Sequence, residues 1–295
     1  MKQYLSHFSA AKYWAVPYIE VILGSEIPKT EAVHLTVSQS RGERRMKQGE
    51  NQIIHSCEIT LPGGAVVPVN GKLIASPELV FLQLAGKLDI RRLILLGLQL
   101  CSHPPGKASQ AITTKRKLAA FLAKTPGHYG HVNALRAVKY IENGSASVME
   151  SLVYMILTLP NALGGYGLNG GVFNQEIRLN DEARKRLGQK CCFADLYYKS
   201  AKLAVEYESF AFHSRPAEQG KDAIRSAILD RHGIEVMHLS TIQLYDEAAC
   251  KDFAFSLAVR LGKRIQIRAK KFDEMNALLR ALLPVGNPGI DHSIS

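Results

Sequence analysis

Two short runs, each with an acid set inside an apolar frame, constrain this chain more than any other part of it. They are Cys192-Phe193-Ala194-Asp195-Leu196-Tyr197 and, after a basic hinge, Ala201-Lys202-Leu203-Ala204-Val205-Glu206-Tyr207-Glu208. The second reads as a strand of β-branched and aromatic residues. Strand side chains point to opposite sides in turn. Glu206 and Glu208 therefore share one side, about 7 Å apart, while Val205 and Tyr207 take the other. Either this is an edge strand with a wet face, or the carboxylates gather a divalent cation that cancels their repulsion.

The rest of the chain sets the setting for that pair. With 295 residues, 46% hydrophobic and 21% charged, it can bury a real core, and its length suggests two domains. A formal net charge of +11 favours a polyanionic partner, nucleic acid before membrane. The alternative is a basic surface that keeps the protein soluble. No apolar run approaches the ~20 residues of a membrane span, and Met1-Lys2-Gln3-Tyr4 does not open a signal peptide. No membrane association is expected, and a cytoplasmic location is. Cys57, Cys101, Cys191, Cys192 and Cys250 form an odd set without a C-x-x-C pair, which predicts reduced thiols and neither a disulfide frame nor a zinc site.

Read in order, residues 5–14 predict a helix capped at Ser6 or Ser9 and stopped before Pro17. Alternating residues up to Val69 predict strands and hairpins, with a basic loop at Arg41, Arg44, Arg45 and Lys47 that either meets phosphate or is simply solvated. Two helices follow, opening at Ser76-Pro77-Glu78. The Ser, Pro, Thr and Gly of residues 102–114 read as a linker between a small α+β domain at 1–101 and a second domain at 115–262. His128 and His131 lie without a Cys or acid at ligand spacing, so they read as a turn, not a metal pair.

In the second domain, Ser145 or Ser147 caps a helix with Val148, Leu152, Met155, Ile156 and Leu159 at helical spacing and Glu150 as its sole acid. The glycine-rich stretch 161–171 is a close-packed turn or a loop facing substrate. Residues 172–179 predict a strand, 180–190 a polar turn, 217–232 a helix with Lys221 and Arg225 one turn apart, and 233–240 a fourth strand. A helix over 241–261 closes the domain. The tail, 263–295, carries Lys263, Arg264, Arg268, Lys270 and Lys271 and reads as a basic helical segment, either solvated or gripping phosphate.

Residues 193–216 and 221–240 together resemble the PD-(D/E)XK nuclease superfamily, in the branch similar to very-short-patch repair endonucleases. The matching positions are Asp195, Glu206 and Glu208, His213, then Asp222 and Arg225, with Glu150 matching the acid that this family places on its first helix. The resemblance implies a restriction-endonuclease-like α/β fold, a mixed sheet flanked by helices, and metal-dependent hydrolysis of DNA. No Pro precedes Asp195, and Glu208 stands where the wider superfamily has Lys and the nearer branch has Asp. At the other end, the run Ser6-His7-Phe8-Ser9-Ala10-Ala11 and the helix after Ser76-Pro77 resemble the N-terminal module of AbiEi-like abortive-infection proteins, which implies a binding module and a place in phage defence.

The nuclease resemblance assigns Asp195 and Glu206 as ligands of Mg²⁺ or Mn²⁺, with Glu150 helping through a water and the Tyr207 carbonyl as a further oxygen ligand. All-oxygen ligation suits those ions better than zinc. Such an ion lowers the pKa of an attacking water and neutralises charge developing on phosphate. With an acid at Glu208, the role of the superfamily's Lys passes to Lys221, Lys202 or His213. Arg225, Lys202 and the basic residues of the tail and of the Arg44-Arg45 loop are the candidate DNA contacts, and RNA is an open alternative substrate. The second reading is an antitoxin-type nucleic-acid-binding regulator on a degenerate nuclease fold, with a protein partner from a defence or toxin–antitoxin system. A third is a basic α/β protein unrelated to nucleases.

Overall fold

Alternation and capping account for most of the elements seen in the computed structural model. It describes residues 3–24, 32–37, 51–57, 59–179, 181–188, 190–208, 227–268 and 270–285. Among these are two mixed sheets, of five and four strands, and eleven α-helices. The chain divides into two compact units, Met1–Ser102 with Ser109–Asn143, and His103–Ala108 with Gly144–Ser295.

The first unit contains β1 (Gln3–Leu5), α1 (His7–Tyr13), α2 (Ile19–Leu23), β2 (Val33–Val37), β3 (Gln52–Ser56), β4 (Val66–Val69) and β5 (Lys72–Ala75). Its sheet runs in the order β3-β2-β1-β5-β4. Strands β4 and β5 form a hairpin: Val69 pairs with Lys72, and Asn70 and Gly71 between them both have positive φ, 48° and 76°. An Asn-Gly pair of that kind makes the two-residue turn whose twist matches its flanking strands. Strands β2 and β3 differ from expectation, since they pair in parallel with Leu35 opposite Ile54 and form no hairpin. Alternation fixes which residues share a side and says nothing about strand direction.

Helix α3 (Pro77–Leu84) begins where its start signal lies, with the Ser76 hydroxyl accepting from the Leu79 amide at 3.2 Å and Pro77 in its first turn. In α4 (Ile90–Leu100) the Asp89 carboxylate accepts from the Arg91 amide at 2.9 Å. Helices α5 (Lys115–Leu122) and α6 (His131–Val138) also belong to this unit, so the boundary falls at 143/144, not at 114/115 as expected. The reason is burial: Leu118, Leu122, Ala134 and Ala137 are core residues, and Ile141 fills the space left at Gly97, where a Cβ would lie 2.1 Å from its Cδ1. Nor is 102–114 a loose tether. Thr113 is buried, its amide bonds to the Leu100 carbonyl at 2.9 Å, and its hydroxyl donates to the Glu78 carboxylate.

The second unit runs α7 (Val148–Thr158), β6 (Val172–Arg178), α8 (Asp181–Leu187), β7 (Cys191–Tyr198), β8 (Leu203–Glu208), a helical stretch at 227–231, β9 (Glu235–Ser240), α9 (Thr241–Tyr245), α10 (Glu247–Arg260) and α11 (Phe272–Arg280). The sheet order is β6-β7-β8-β9, antiparallel for the first three and parallel between β8 and β9. Helix α7 starts at its Ser147 cap and buries residues 151–158, with the Tyr154 ring 4.8 Å from that of Phe173 on β6. Two expectations fail here. Residues 181–187, read as a polar turn, form α8, whose first-turn Asp181 and Glu182 suit the helix dipole. The basic stretch 263–268 is not helical: α10 ends before Gly262, which has φ 62°, and helix resumes only at Phe272.

Cys101, Cys192 and Cys250 are buried. No helix among the described residues is long and apolar enough to cross a membrane.

Candidate functional site

Sheet register brings the acids of the second unit together. Phe173, Leu196, Val205 and Met237 pair in sequence across β6, β7, β8 and β9. One residue further along each strand stand Asn174, Asp195, Glu206 and His238, and the Glu206–His238 pair continues the parallel ladder. An apolar row is thus followed by a polar one. Beyond Leu196 opposite Val205, the half-buried Asp195 uses its Oδ2 to accept the Tyr207 amide at 3.0 Å. Glu206 is buried, 7% exposed.

Each end of this row is held. At the α7 end, Asn174 has a positive φ of 44° and its amide donates to the Gly144 carbonyl at 2.9 Å and to Glu150 Oε2 at 2.8 Å. Glu150 Oε2 also accepts the Ala146 amide at 2.9 Å. At the β9 end, Glu208 Oε1 lies 2.7 Å from His238 Nδ1. The Tyr207 hydroxyl bonds to Thr241 Oγ1 at 3.0 Å, and Thr241 donates to the Glu208 carbonyl at 3.1 Å, which ties the end of β8 to the start of α9.

The Glu150 carboxyl carries the electrostatic signature. Burial, and then the nearby Asp195, push its pKa from 4.5 up to about 7, against the opposing hydrogen bonds from Ala146, Asn174 and Ser147. Two carboxyls in one poorly hydrated place cannot both ionise freely. A shift of this kind at converging polar groups marks a candidate functional site.

Several expected site residues have definite places. Asp195, Glu206, Glu208 and Glu150 lie on β7, two successive sites of β8, and the first turn of α7. Lys202 is exposed at the β7–β8 connection in a left-handed conformation, φ 47°. Lys263, Arg264, Arg268, Lys270 and Lys271 are exposed beyond α10. His213, Lys221, Asp222, Arg225, Arg41, Arg44, Arg45 and Lys47 lie outside the described residues. Asn174 and His238 were not anticipated. Each is an ordinary polar residue of its strand until strand pairing sets it beside an acid, and no local pattern reports that.

Among the described residues, no three His, Cys, Asp or Glu side chains converge closely enough to hold a metal ion by themselves. The donors still fit a hard divalent cation. They are all carboxylate oxygens, and a cation beside them would offset both the burial and the nearby Asp195 that raise the Glu150 pKa. Mg²⁺ in particular is commonly bound by one or two carboxylates plus water and substrate phosphate, not by a full protein cage. No family model, no curated protein and no solved structure matches this chain.

Proposed function

We propose that this chain is a metal-dependent endonuclease that hydrolyses DNA phosphodiesters, built on a restriction-endonuclease-like domain of the PD-(D/E)XK kind and acting in phage defence. The observation that carries the reading is the row Asn174, Asp195, Glu206, His238, with Glu150 at one end and Glu208 at the other. The element order α7, β6, β7, β8, helical residues 227–231, β9 supports it, as does the overall charge of +11. Asp195 and Glu206 would hold Mg²⁺ or Mn²⁺, assisted by Glu150, and the ion supplies Lewis acidity toward phosphate and a more acidic bound water. The protein's own groups do the positioning. The Tyr207 amide fixes one oxygen of Asp195, Asn174 fixes one of Glu150, and Glu208 sets the orientation of His238. Purified protein should nick supercoiled DNA in Mg²⁺ or Mn²⁺ and stop in EDTA, and Asp195→Ala and Glu206→Ala should abolish cleavage. Variants that cut as fast as wild type would sink the proposal, and a single-stranded RNA run in parallel decides between the two nucleic acids.

A second reading is favoured by one contact. Glu208 stands where the superfamily's Lys would be, and its carboxylate is engaged by His238. A DNA-binding regulator on an inactive nuclease fold would show that arrangement as well, and it predicts DNA binding that neither needs a cation nor leads to cleavage.

A further inference from the structure

The glycine-rich loop after α7 takes no part in the site above. Its halves differ. At Gly164 and Gly165 a Cβ would lie 2.2 Å from the carbonyl oxygens of Met275 and Leu159, so that half packs inward. The Tyr166, Gly167 and Leu168 amides bond to the carbonyls of Ile156, Leu159 and Leu157, which pins the loop to the end of α7. At Gly167 and Gly170, by contrast, nothing among the described residues lies within 4 Å of the Cβ position.

The non-helical segment 263–268 runs beside this loop, and the two line a cavity of about 460 Å³. Lys263, Arg264 and Arg268 face it, and among the described residues none that lines it is acidic. The Lys263 ammonium is held by the backbone and side-chain oxygens of Asn169, and the Arg268 guanidinium by the side-chain oxygen of Gln266. These acceptors are neutral, so all three positive charges stand without a carboxylate partner among the described residues.

We infer that this groove binds successive phosphates along a nucleic-acid backbone. Three uncompensated cations within six residues attract polyanions, and the guanidinium fork matches phosphate geometry. Arg264 and Arg268 are four residues apart, so an extended chain separates them by up to about 13 Å. That spacing suits neighbouring phosphates of a polymer better than one small anion. Because the loop amides are already bonded to α7, the grip comes from the side chains, and the open side of the loop at Gly167 and Gly170 leaves room for the backbone to approach. Lys271, paired with Glu274 at 3.6 Å, and Lys270 lie outside the groove. The choice of ligand rests on the nucleic-acid reading above but not on cleavage.

The test is equilibrium binding of a fluorescent DNA duplex in EDTA across a salt series, with no cleavage read. Arg264→Gln/Arg268→Gln should lower the slope of log K against log salt by about 1.8, roughly 0.9 per lost phosphate contact. Wild type should then lose about 12-fold more affinity than the variant between 50 and 200 mM salt. Lys124→Gln/Lys139→Gln, at two exposed lysines of the first unit, should leave the slope at its wild-type value. An unchanged slope in the first variant, or an equal fall in the second, overturns the assignment. So does wild-type protein that binds no duplex in EDTA. Displacement of the duplex by low-millimolar inorganic phosphate would make the groove a small-anion pocket and also refute the backbone assignment. The Asp195→Ala cleavage assay is scored separately, so either idea can fail alone.

Discussion

Acid should unfold the first unit through one histidine. His7 is buried at 8% exposure, its ring stacked on His55 at 3.7 Å and 21°, while His34 Nδ1 and His55 Nε2 share a hydrogen bond of 2.9 Å. Burial is the largest influence on His7, and the charges acting on it, His55, His34, Lys87 and His128, all oppose protonation, so its pKa falls from 6.5 to about 2. His34 is lowered too, by burial and by Lys87. The unfolded chain takes up a proton at His7 below about pH 6.5 and the folded unit does not. Stability is therefore complete above that pH and declines as pH falls, by about 1.4 kcal/mol per unit for each such group. At pH 5 His7 alone costs about 2 kcal/mol, and His34 adds to the loss in the same direction. Urea unfolding of wild type and His7→Asn at pH 7 and pH 5 measures this. Asn is chosen because His7 has a positive φ of 49°, which Asn tolerates. Lost stacking should weaken the variant at both pH values, but its drop between them should be about 2 kcal/mol smaller than in wild type. Equal drops in the two proteins would refute the reasoning.

Glu150 has the opposite sign. Its folded pKa is raised, so stability falls as pH rises from 4.5 to about 7, by at most about 3 kcal/mol in all. In EDTA at pH 8, Glu150→Gln should be more stable than wild type, and at pH 4.5 the gap should close; a gap that persists unchanged would remove the electrostatic case for the site. Mn²⁺ at a hundredfold excess over its Kd should add about 2.7 kcal/mol to wild type and little to Asp195→Asn, as read by thermal melts, and equal gains would place the ion elsewhere. Gly164→Ala should destabilise the second unit by well over 1 kcal/mol, since φ is 94° and the new Cβ would meet the Met275 carbonyl oxygen at 2.2 Å, whereas a neutral result would mean that α11 yields easily.

What the sequence made legible is local. The caps at Ser76 and Ser147 and the alternation of Val205, Glu206, Tyr207 and Glu208 each follow from a few neighbouring residues, and the structure has all of them. The parallel pairing of β2 with β3 and the contact between Glu208 and His238 depend on segments far apart in the chain, and no window of residues encodes them. Yet the polar row is not independent of the core. Phe173, Leu196 and Val205 are 7%, 3% and 1% exposed, and burying them selects one register for β6, β7 and β8. A slip of one residue in β8 would expose Val205 and turn Glu206 and Glu208 to the opposite side. The apolar row therefore sets the polar one beside it. Asp195, Glu206 and His238 come together because their neighbours Leu196, Val205 and Met237 already pair, so the chemistry at this end of the sheet is positioned by the same burial that holds the domain together.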